Sequence, residues 1–209
     1  MRNVFRLLVS ACLVALPALL PSATKASPVL YGANGHYYDF VAGSVTWTDA
    51  LSDASAQTFS GYQGHLVTIT GAGENSFVFS SFDSFTDGFA WIGASDAAVE
   101  AEWRWVDGPE SGTQFSQGST PTAPYNYANW GTVEPNNAGA GEDHAGINLG
   151  PLTGPGTAPG EWGDGPVNAG NVTGYIIEYS RPAIPEPSTA LLLGLGMLGA
   201  GLIRRKRRS

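Results

Sequence analysis

Residues 129–143 read NWGTVEPNNAGAGED, and the tetrapeptide EWGD follows at residues 161–164. These two pieces carry oxygen donors and no sulfur, namely Glu134, Asn136, Glu142 and Asp164. Calcium takes its ligands from carboxylates, amide carbonyls and water, whereas zinc and copper favour nitrogen and sulfur. Crowded acidic groups also repel one another, and a divalent cation relieves that repulsion. The pattern therefore predicts a Ca²⁺ site, with a solvated turn rich in Pro, Asn and Gly as the alternative.

The segments around this stretch have the periodicity of a small domain that mixes helices and strands. Aromatic and β-branched residues predict strands at 35–42, 64–69, 89–93, 103–106 and 174–179. Apolar spacing predicts two helices, one after the capping residue Thr46 and one starting near Gly71. The first helix has Trp47, Ala50, Leu51 and Ala54 on its apolar face, and the second has Val78, Ser81, Phe82 and Phe85.

Residues 107–171 are dense in Gly, Pro, Asn and Ser, which predicts a long loop region. Large apolar residues are nevertheless spread through it and need burial, so ordered loops are favoured over disorder. These residues are Phe115, Tyr125, Tyr127, Trp130, Ile147, Leu149 and Trp162. Trp130 and Trp162 flank the predicted metal site and offer two interpretations, as platforms for a sugar ring or as packing beneath the loops.

Together these elements resemble the C-type lectin-like domain over residues 35–179. The resemblance is carried by Trp91-Ile92-Gly93, Trp103-Arg104-Trp105, Glu134-Pro135-Asn136, Gly141-Glu142-Asp143, Glu161-Trp162-Gly163-Asp164 and the last strand. It implies a C-type lectin-like α+β fold with two helices flanking small antiparallel sheets and a long loop region. It also implies that Glu134, Asn136, Glu142 and Asp164 bind both Ca²⁺ and a sugar, and that Pro135 is a cis proline. Glu-Pro-Asn implies mannose- or glucose-type ligands, whose equatorial vicinal hydroxyls replace waters on the metal.

The chain departs from that family at two points. Gly163 stands where the family has an amide ligand, so the ion would have one protein ligand fewer and an extra water. The family's cysteines are absent from the domain, because the single cysteine of the chain is Cys12, and His144 stands where one cysteine is expected. Each absent disulfide forgoes about 2–4 kcal/mol, so bound Ca²⁺ is expected to matter more to stability.

Both ends of the chain look like export signals rather than parts of the domain. Residues 1–26 begin with arginines, continue as an apolar run and finish in small residues, which predicts a signal peptide. Residues 184–209 contain Pro185-Glu186-Pro187, an apolar stretch and a terminal arginine-rich cluster. The apolar stretch predicts a single transmembrane helix whose basic end stays cytoplasmic, so a plain tail anchor is one interpretation. The domain itself is predicted at residues 30–181.

That tripartite tail closely resembles the PEP-CTERM sorting signal. The resemblance implies processing near Pro185-Glu186-Pro187 by an exosortase, in Gram-negative bacteria that make exopolysaccharide. We therefore expect a protein that is held transiently in the inner membrane and then reaches the cell surface or the extracellular matrix.

The charge distribution of the sequence excludes one class of binding partner. Arg104 is the one basic residue between Ser27 and Ser180, against many Asp and Glu residues, and the whole chain has a formal net charge of −8. Such a surface repels phosphate backbones, so nucleic acid is excluded as a partner. No metalloprotease, nucleophile-elbow or phosphate-loop motif is present in the sequence, so no enzymatic activity is predicted. Two functions remain open, which are a calcium-dependent carbohydrate-binding protein and a lectin-fold structural or protein-interaction module that binds no sugar.

Overall fold

The computed structural model describes residues 27–139, 141–151 and 157–180. The predicted signal peptide at 1–26 and the predicted sorting segment at 184–209 lie outside these residues. Within the part of the chain that is described, no helix is long and apolar enough to cross a membrane.

The described residues form two helices and eleven short strands. The strands that precede the second helix are β1 Val29–Tyr31, β2 His36–Ala42, β3 Thr58–Phe59 and β4 Tyr62–Leu66, with helix α1 at Trp47–Ala56. Helix α2 spans Ala72–Phe82 and is followed by β5 Phe89–Ser95, β6 Glu102–Trp105, β7 Gln114–Gln117 and β8 Thr120–Pro121. The last three strands are β9 His144–Asn148, β10 Trp162–Gly165 and β11 Val172–Ser180. All five predicted strands and both predicted helices are present.

Strand β11 pairs with three other strands of the sheet. It pairs antiparallel with β2 and with β4, and parallel with β5. Strand β5 pairs antiparallel with β6 and β9, and β9 pairs with β10. The expectation of small antiparallel sheets is therefore corrected, because the described strands join into one mixed sheet. The parallel pair is possible because the long loop region separates β5 from β11, and a parallel connection needs such a crossover.

Helix α1 begins at its predicted cap, and the buried faces of both helices are narrower than the sequence predicts. The hydroxyl of Thr46 accepts a hydrogen bond from the backbone N–H of Asp49 at 3.1 Å, which satisfies a free donor at the start of α1. Trp47, Ala50 and Ala54 are the buried residues of α1. Helix α2 ends at Phe82, so Phe85 does not share its face and is exposed.

Most of the predicted loop region is fixed by the core. Phe115, Ile147, Leu149 and Trp162 are fully buried, and Tyr125, Tyr127 and Trp130 pack against the same cluster while partly buried. Strands β7 to β10 also lie inside this region. For residues 107–139, 141–151 and 157–171, the interpretation of ordered loops is confirmed, and the loops that carry the predicted metal ligands rest on packed aromatic residues.

Candidate functional site

The Glu-Pro-Asn turn is attached to the start of β10 by backbone hydrogen bonds. The N–H of Gly131 donates to the carbonyl of Trp162 at 2.8 Å, and the N–H of Trp162 donates to the carbonyl of Asn129 at 2.8 Å. The peptide bond between Glu134 and Pro135 is cis, as the resemblance implied. Because residues 129–131 and residue 162 are joined, the turn and Asp164 come to the same place in the fold.

Asp164 holds the turn through both of its carboxylate oxygens. Oδ1 accepts from the N–H of Asn136 at 3.0 Å, and Oδ2 accepts from the N–H of Asn137 at 2.8 Å. The side-chain amide of Asn136 in turn donates to Oε2 of Glu134 at 2.8 Å. Three of the four predicted site residues, from two distant parts of the sequence, are therefore brought together.

Glu142 lies on the same loop but is bound within its own turn. Its Oε2 accepts from the N–H of Ala138 at 2.6 Å, and its N–H donates to the side-chain oxygen of Asn137 at 3.3 Å. Its negative charge is nevertheless close enough to contribute to raising the pKa of Glu134. The fourth predicted residue is thus a neighbour of the other three. We call Glu134, Glu142 and Asp164 the loop cluster.

The loop cluster concentrates negative charge. Burial raises the pKa of Glu134 to about 8, and the hydrogen bond and charge of Asp164 add to this effect, as does the charge of Glu142. A nearby cation would reverse the shift, because opposite charge favours the ionised carboxyl group. The donor set, which is made of carboxylates and one amide, fits Ca²⁺ in its chemistry.

The side chains are not, however, arranged around one centre as they stand. Among the residues that the structure describes, no group of three or more His, Cys, Asp or Glu side chains is placed to hold a metal ion. The carboxylates of Asp164 and Glu142 instead accept hydrogen bonds from backbone N–H groups of the loop. Assignment of Glu134, Asn136, Glu142 and Asp164 as metal ligands accordingly stays a prediction.

The two tryptophans near the site pack beneath the loops. Trp162 is fully buried, and its indole N–H donates to the side-chain oxygen of Asn75 in α2 at 2.8 Å. Trp130 is partly buried, and its indole N–H donates to the hydroxyl of Ser116 at 3.2 Å. Both residues therefore anchor the loop to the core.

A second group of acidic residues, which the sequence reading did not single out, lies inside the fold. Oε1 of Glu178 is 2.5 Å from Nδ1 of His36, and its Oε2 accepts from the N–H and hydroxyl of Thr68, both at 3.1 Å. Oε1 of Glu74 accepts from the hydroxyl of Tyr38 at 2.5 Å. We call Glu74, Glu178, His36, Tyr38 and Thr68 the buried network. The sequence signal for it was weak, since Glu178 is a single acid within the apolar strand β11.

The family model "Lectin C-type domain" matches residues 45–170. The chain belongs to the C-type lectin domain family. A second family model, "PEP-CTERM protein-sorting motif", matches residues 183–208. That motif implies export, membrane-associated sorting and an exosortase-type partner for this C-type lectin domain protein.

Curated relatives match this chain over part of their length. Halomucin of Haloquadratum walsbyi (strain DSM 16790 / HBSQ001) is 39% identical over 158 residues, which are 75% of this chain and 2% of halomucin. Hepatic lectin of Gallus gallus is 30% identical over 111 residues, which are 53% of this chain and 44% of that protein. The chain therefore spans a minor part of both relatives.

Solved structures show the same fold at low sequence identity. The C-type lectin CEL-I from Cucumaria echinata has a TM-score of 0.55 and 22% identity, covering 77% of this chain and 99% of that chain. A calcium-independent type II antifreeze protein has a TM-score of 0.51 and 21% identity, covering 76% of this chain and 95% of that chain. These similarities confirm the fold alone, a C-type lectin-like fold with two helices and a mixed sheet.

Proposed function

We propose that this protein is an exported, calcium-dependent carbohydrate-binding protein and not an enzyme. The observation that carries the proposal is the joining of the loop at residues 134–137 to Asp164 by two hydrogen bonds, with a third between Asn136 and Glu134, in a chain of the C-type lectin family. Glu134, Asn136, Glu142 and Asp164 would hold the ion. Bound Ca²⁺ would supply a positive centre for sugar hydroxyls, while the carboxylate and amide groups accept and donate hydrogen bonds to the same hydroxyls.

The proposed ligands are neutral sugars of the mannose or glucose type, alone or as units of an exopolysaccharide. Between Ser27 and Ser180, the excess of acidic residues over Arg104, the one Lys or Arg residue there, disfavours anionic glycans in the same way as it disfavours nucleic acid. Ion binding requires Asp164 and Glu142 to exchange their backbone N–H partners for the metal. That exchange is confined to one loop, because the donors lie at residues 136–138.

The proposed location follows from the two ends of the chain. Residues 1–26 would direct export, and residues 184–209 would hold the protein in the inner membrane until an exosortase-type enzyme acts near Pro185-Glu186-Pro187. The domain at 30–181 would then work at the cell surface or in the exopolysaccharide and biofilm matrix of a Gram-negative bacterium. The family match at residues 183–208 supports this proposal.

The alternative is a structural or protein-interaction module of the matrix. Gly163 favours it, because this position has no side chain to donate an oxygen to the ion. The calcium-independent antifreeze protein also supports it, since a protein named as calcium-independent has this fold. The turn that brings Glu134 and Asn136 to Asp164 favours the carbohydrate-binding function instead.

A glycan-binding assay tests the proposal. The purified protein is titrated with methyl α-D-mannopyranoside, methyl α-D-glucopyranoside and the producer's own polysaccharide, first in CaCl₂ and then in excess chelator. We expect binding in calcium that is lost in chelator and in the variants Glu134→Gln and Asn136→Ala. Glu100→Gln, which removes a charge from an exposed turn, serves as the matched control and should bind as the wild type does. Binding that survives chelator and both site variants would refute the proposal.

A further inference from the structure

A cavity of about 440 Å³ lies between helix α1 and the neighbouring strands β5, β6 and β9. Pockets for drug-sized ligands span about 300–1,000 Å³, so this cavity can hold a molecule of one or two rings. None of the described residues that line it belongs to the loop cluster. We call it the α1 cavity. The lining residues that matter below are Trp47, Leu51, Ser95, Arg104, Val106 and His144.

The side of the α1 cavity that the sheet forms carries three polar side chains in one row. Ser95 of β5 is the cross-strand partner of Arg104 in β6 and also of His144 in β9. Cross-strand partners lie on the same face of a sheet, so these three side chains are neighbours beneath α1. The opposite side of the cavity is apolar, since Trp47 and Leu51 of α1 line it.

His144 has a ring nitrogen without a partner. The residue is 9% exposed, and its Nδ1 makes no hydrogen bond to any part of the chain that the structure describes. The ring of Trp47 lies 4.5 Å away, but its indole N–H donates to the carbonyl of Ile92 at 2.9 Å. A buried polar atom without a partner is unfavourable, so a ligand that supplies the partner gains affinity.

The charge of Arg104 is already paired. Its guanidinium donates to Oε2 of Glu102 at 2.8 Å and to the carbonyl of Gly112 at 3.0 Å. No acidic residue is among those that line the cavity. The cavity therefore offers neither a free cation to an anionic ligand nor a carboxylate to a cationic one, and a neutral ligand fits it best.

A hydroxyl group suits the polar row. A hydroxyl both donates and accepts, so it can bond to His144 in either tautomer of the ring. The hydroxyl of Ser95 accepts from the N–H of Ala97 at 3.2 Å, and its own hydrogen can be donated to the same ligand group. A sugar fits less well, because most of its hydroxyls would face Trp47, Leu51 and the other apolar residues without a partner.

We propose that the α1 cavity binds a neutral apolar molecule of one or two rings that carries a hydroxyl group, which bonds to Nδ1 of His144. Binding does not need calcium, because none of the four residues proposed to hold the ion lines the cavity. Position 144 is also one where this chain departs from its family, which is expected to have a cysteine there. The protein thus has a second ligand site that is independent of carbohydrate binding.

The test uses two ligands of the same shape. The probe is 2-naphthol, and its matched ligand is 2-methylnaphthalene, in which a methyl group replaces the hydroxyl. Each is titrated into the wild type, His144→Phe and His36→Phe in excess chelator, with naphthalene fluorescence as the readout. We expect saturable binding of both by the wild type, and a preference for 2-naphthol that falls about tenfold in His144→Phe. His36→Phe makes the same exchange in β2, outside the cavity, and should keep the wild-type preference.

The outcomes decide the proposal. If His144→Phe keeps the wild-type preference for 2-naphthol, the hydroxyl does not bind at His144 and the proposal is wrong. If the wild type binds neither ligand saturably, the α1 cavity is not a site for this class of molecule, and the proposal is again rejected.

A second pair of variants fills the cavity and serves if His144→Phe does not fold. Leu51 is partly buried and lines the cavity from α1, so the larger side chain of Leu51→Trp should weaken both ligands by at least about tenfold. Leu30→Trp makes the same exchange at an exposed residue of β1 and should bind as the wild type does. Wild-type affinity in Leu51→Trp would place the ligands elsewhere and overturn the proposal.

Discussion

The buried network and the loop cluster are both built around carboxylates, but the hydrogen-bond donors to these carboxylates lie in different parts of the fold. Glu178 in β11 accepts from Thr68, which follows β4, and lies against His36 in β2, while Glu74 in α2 accepts from Tyr38 in β2. The loop cluster accepts from residues 136–138, which belong to the same loop as two of its three members. The first group joins α2, β2 and β11 inside the fold, whereas the second joins a single loop to β10.

Because of this difference, the carboxylates of the buried network should stabilise the fold, whereas those of the loop cluster can exchange their hydrogen-bond partners. A buried carboxylate with several donors can be removed only at the cost of leaving those donors unsatisfied. A partly exposed carboxylate that accepts from loop N–H groups can transfer its oxygens to another partner, because water or a ligand can take its place. We therefore expect the buried network to affect folding most, and the loop cluster to affect ligand binding most.

Removing Glu178 should have the largest effect on folding. Glu178→Ala leaves His36 and the N–H of Thr68 without their partner inside the protein, and breaking a buried charged pair typically costs about 3–5 kcal/mol. Loss of the neighbouring charge lowers the raised pKa of Glu74 and offsets part of this cost. We expect the free energy of unfolding to fall by about 3 kcal/mol in urea denaturation.

Asp164→Ala provides the matched comparison in the loop cluster. It also removes a carboxylate that accepts two backbone hydrogen bonds, but its donors are on an exposed loop, so we expect a loss of about 1 kcal/mol without calcium. If the two variants lose equal stability, the distinction between the two groups is wrong.

Calcium should stabilise the protein through the loop cluster and independently of the buried network. Ion at 100 times its dissociation constant adds about 2.7 kcal/mol, which for a domain of this size raises Tm by about 5–10 °C. Scanning calorimetry with CaCl₂ and with chelator measures the shift. Glu134→Gln should abolish the shift, whereas the destabilised Glu178→Ala should keep it. An unchanged Tm of the wild type in saturating CaCl₂ would remove the metal from the proposed function.

Calcium affinity should weaken as pH falls below 8. The pKa of Glu134 is raised to about 8, so protons compete with the ion for this carboxylate at neutral pH. Because the folded pKa lies above the unfolded one, the calcium-free protein gains stability as pH falls through 8, and calcium opposes this trend. We expect affinity to drop about tenfold between pH 8 and pH 6, after allowance for solvent screening. Calcium titrations of the wild type at both pH values measure it, and an affinity that is unchanged between pH 8 and pH 6 would contradict the assignment to Glu134.

The sequence predicts the elements of the core more fully than their arrangement. The apolar spacing of Trp47, Ala50 and Ala54 is a local property of a helix, and it is visible without knowledge of the partner surface. The parallel pairing of β11 with β5 depends on a crossover through the loop region, whose path is not encoded in a local period. Short strands such as β7 and β8 were missed for the same reason, since so few residues give no usable alternation.

At the site, donor chemistry was predictable and side-chain direction was not. Glu134, Asn136 and Asp164 do meet, because backbone hydrogen bonds attach residues 129–131 to Trp162 at the start of β10. The sequence does not show that Asp164 and Glu142 bind loop N–H groups, since that choice depends on distances within a folded turn. The pairing of Gly146 with Gly163 was also hidden, because it depends on how β9 and β10 align across the loop between them.

The smallest predicted effect concerns His36 at the edge of the buried network. Its pKa is raised by the hydrogen bond and charge of Glu178, with Glu74 and Glu110 adding to this effect and burial opposing it. A raised histidine pKa means that the pair stabilises the protein fully below the unfolded value of about 6.5 and that this stability is lost as pH rises through the folded pKa. We expect His36→Gln to cost about 1 kcal/mol at pH 5.5 and close to nothing at pH 9, measured by urea denaturation. The titration of Glu74 and of the loop cluster affects the wild type and His36→Gln alike, so it cancels in the difference between their free energies of unfolding. If the loss of stability in His36→Gln stays constant between pH 5.5 and pH 9, His36 is held by packing and not by charge.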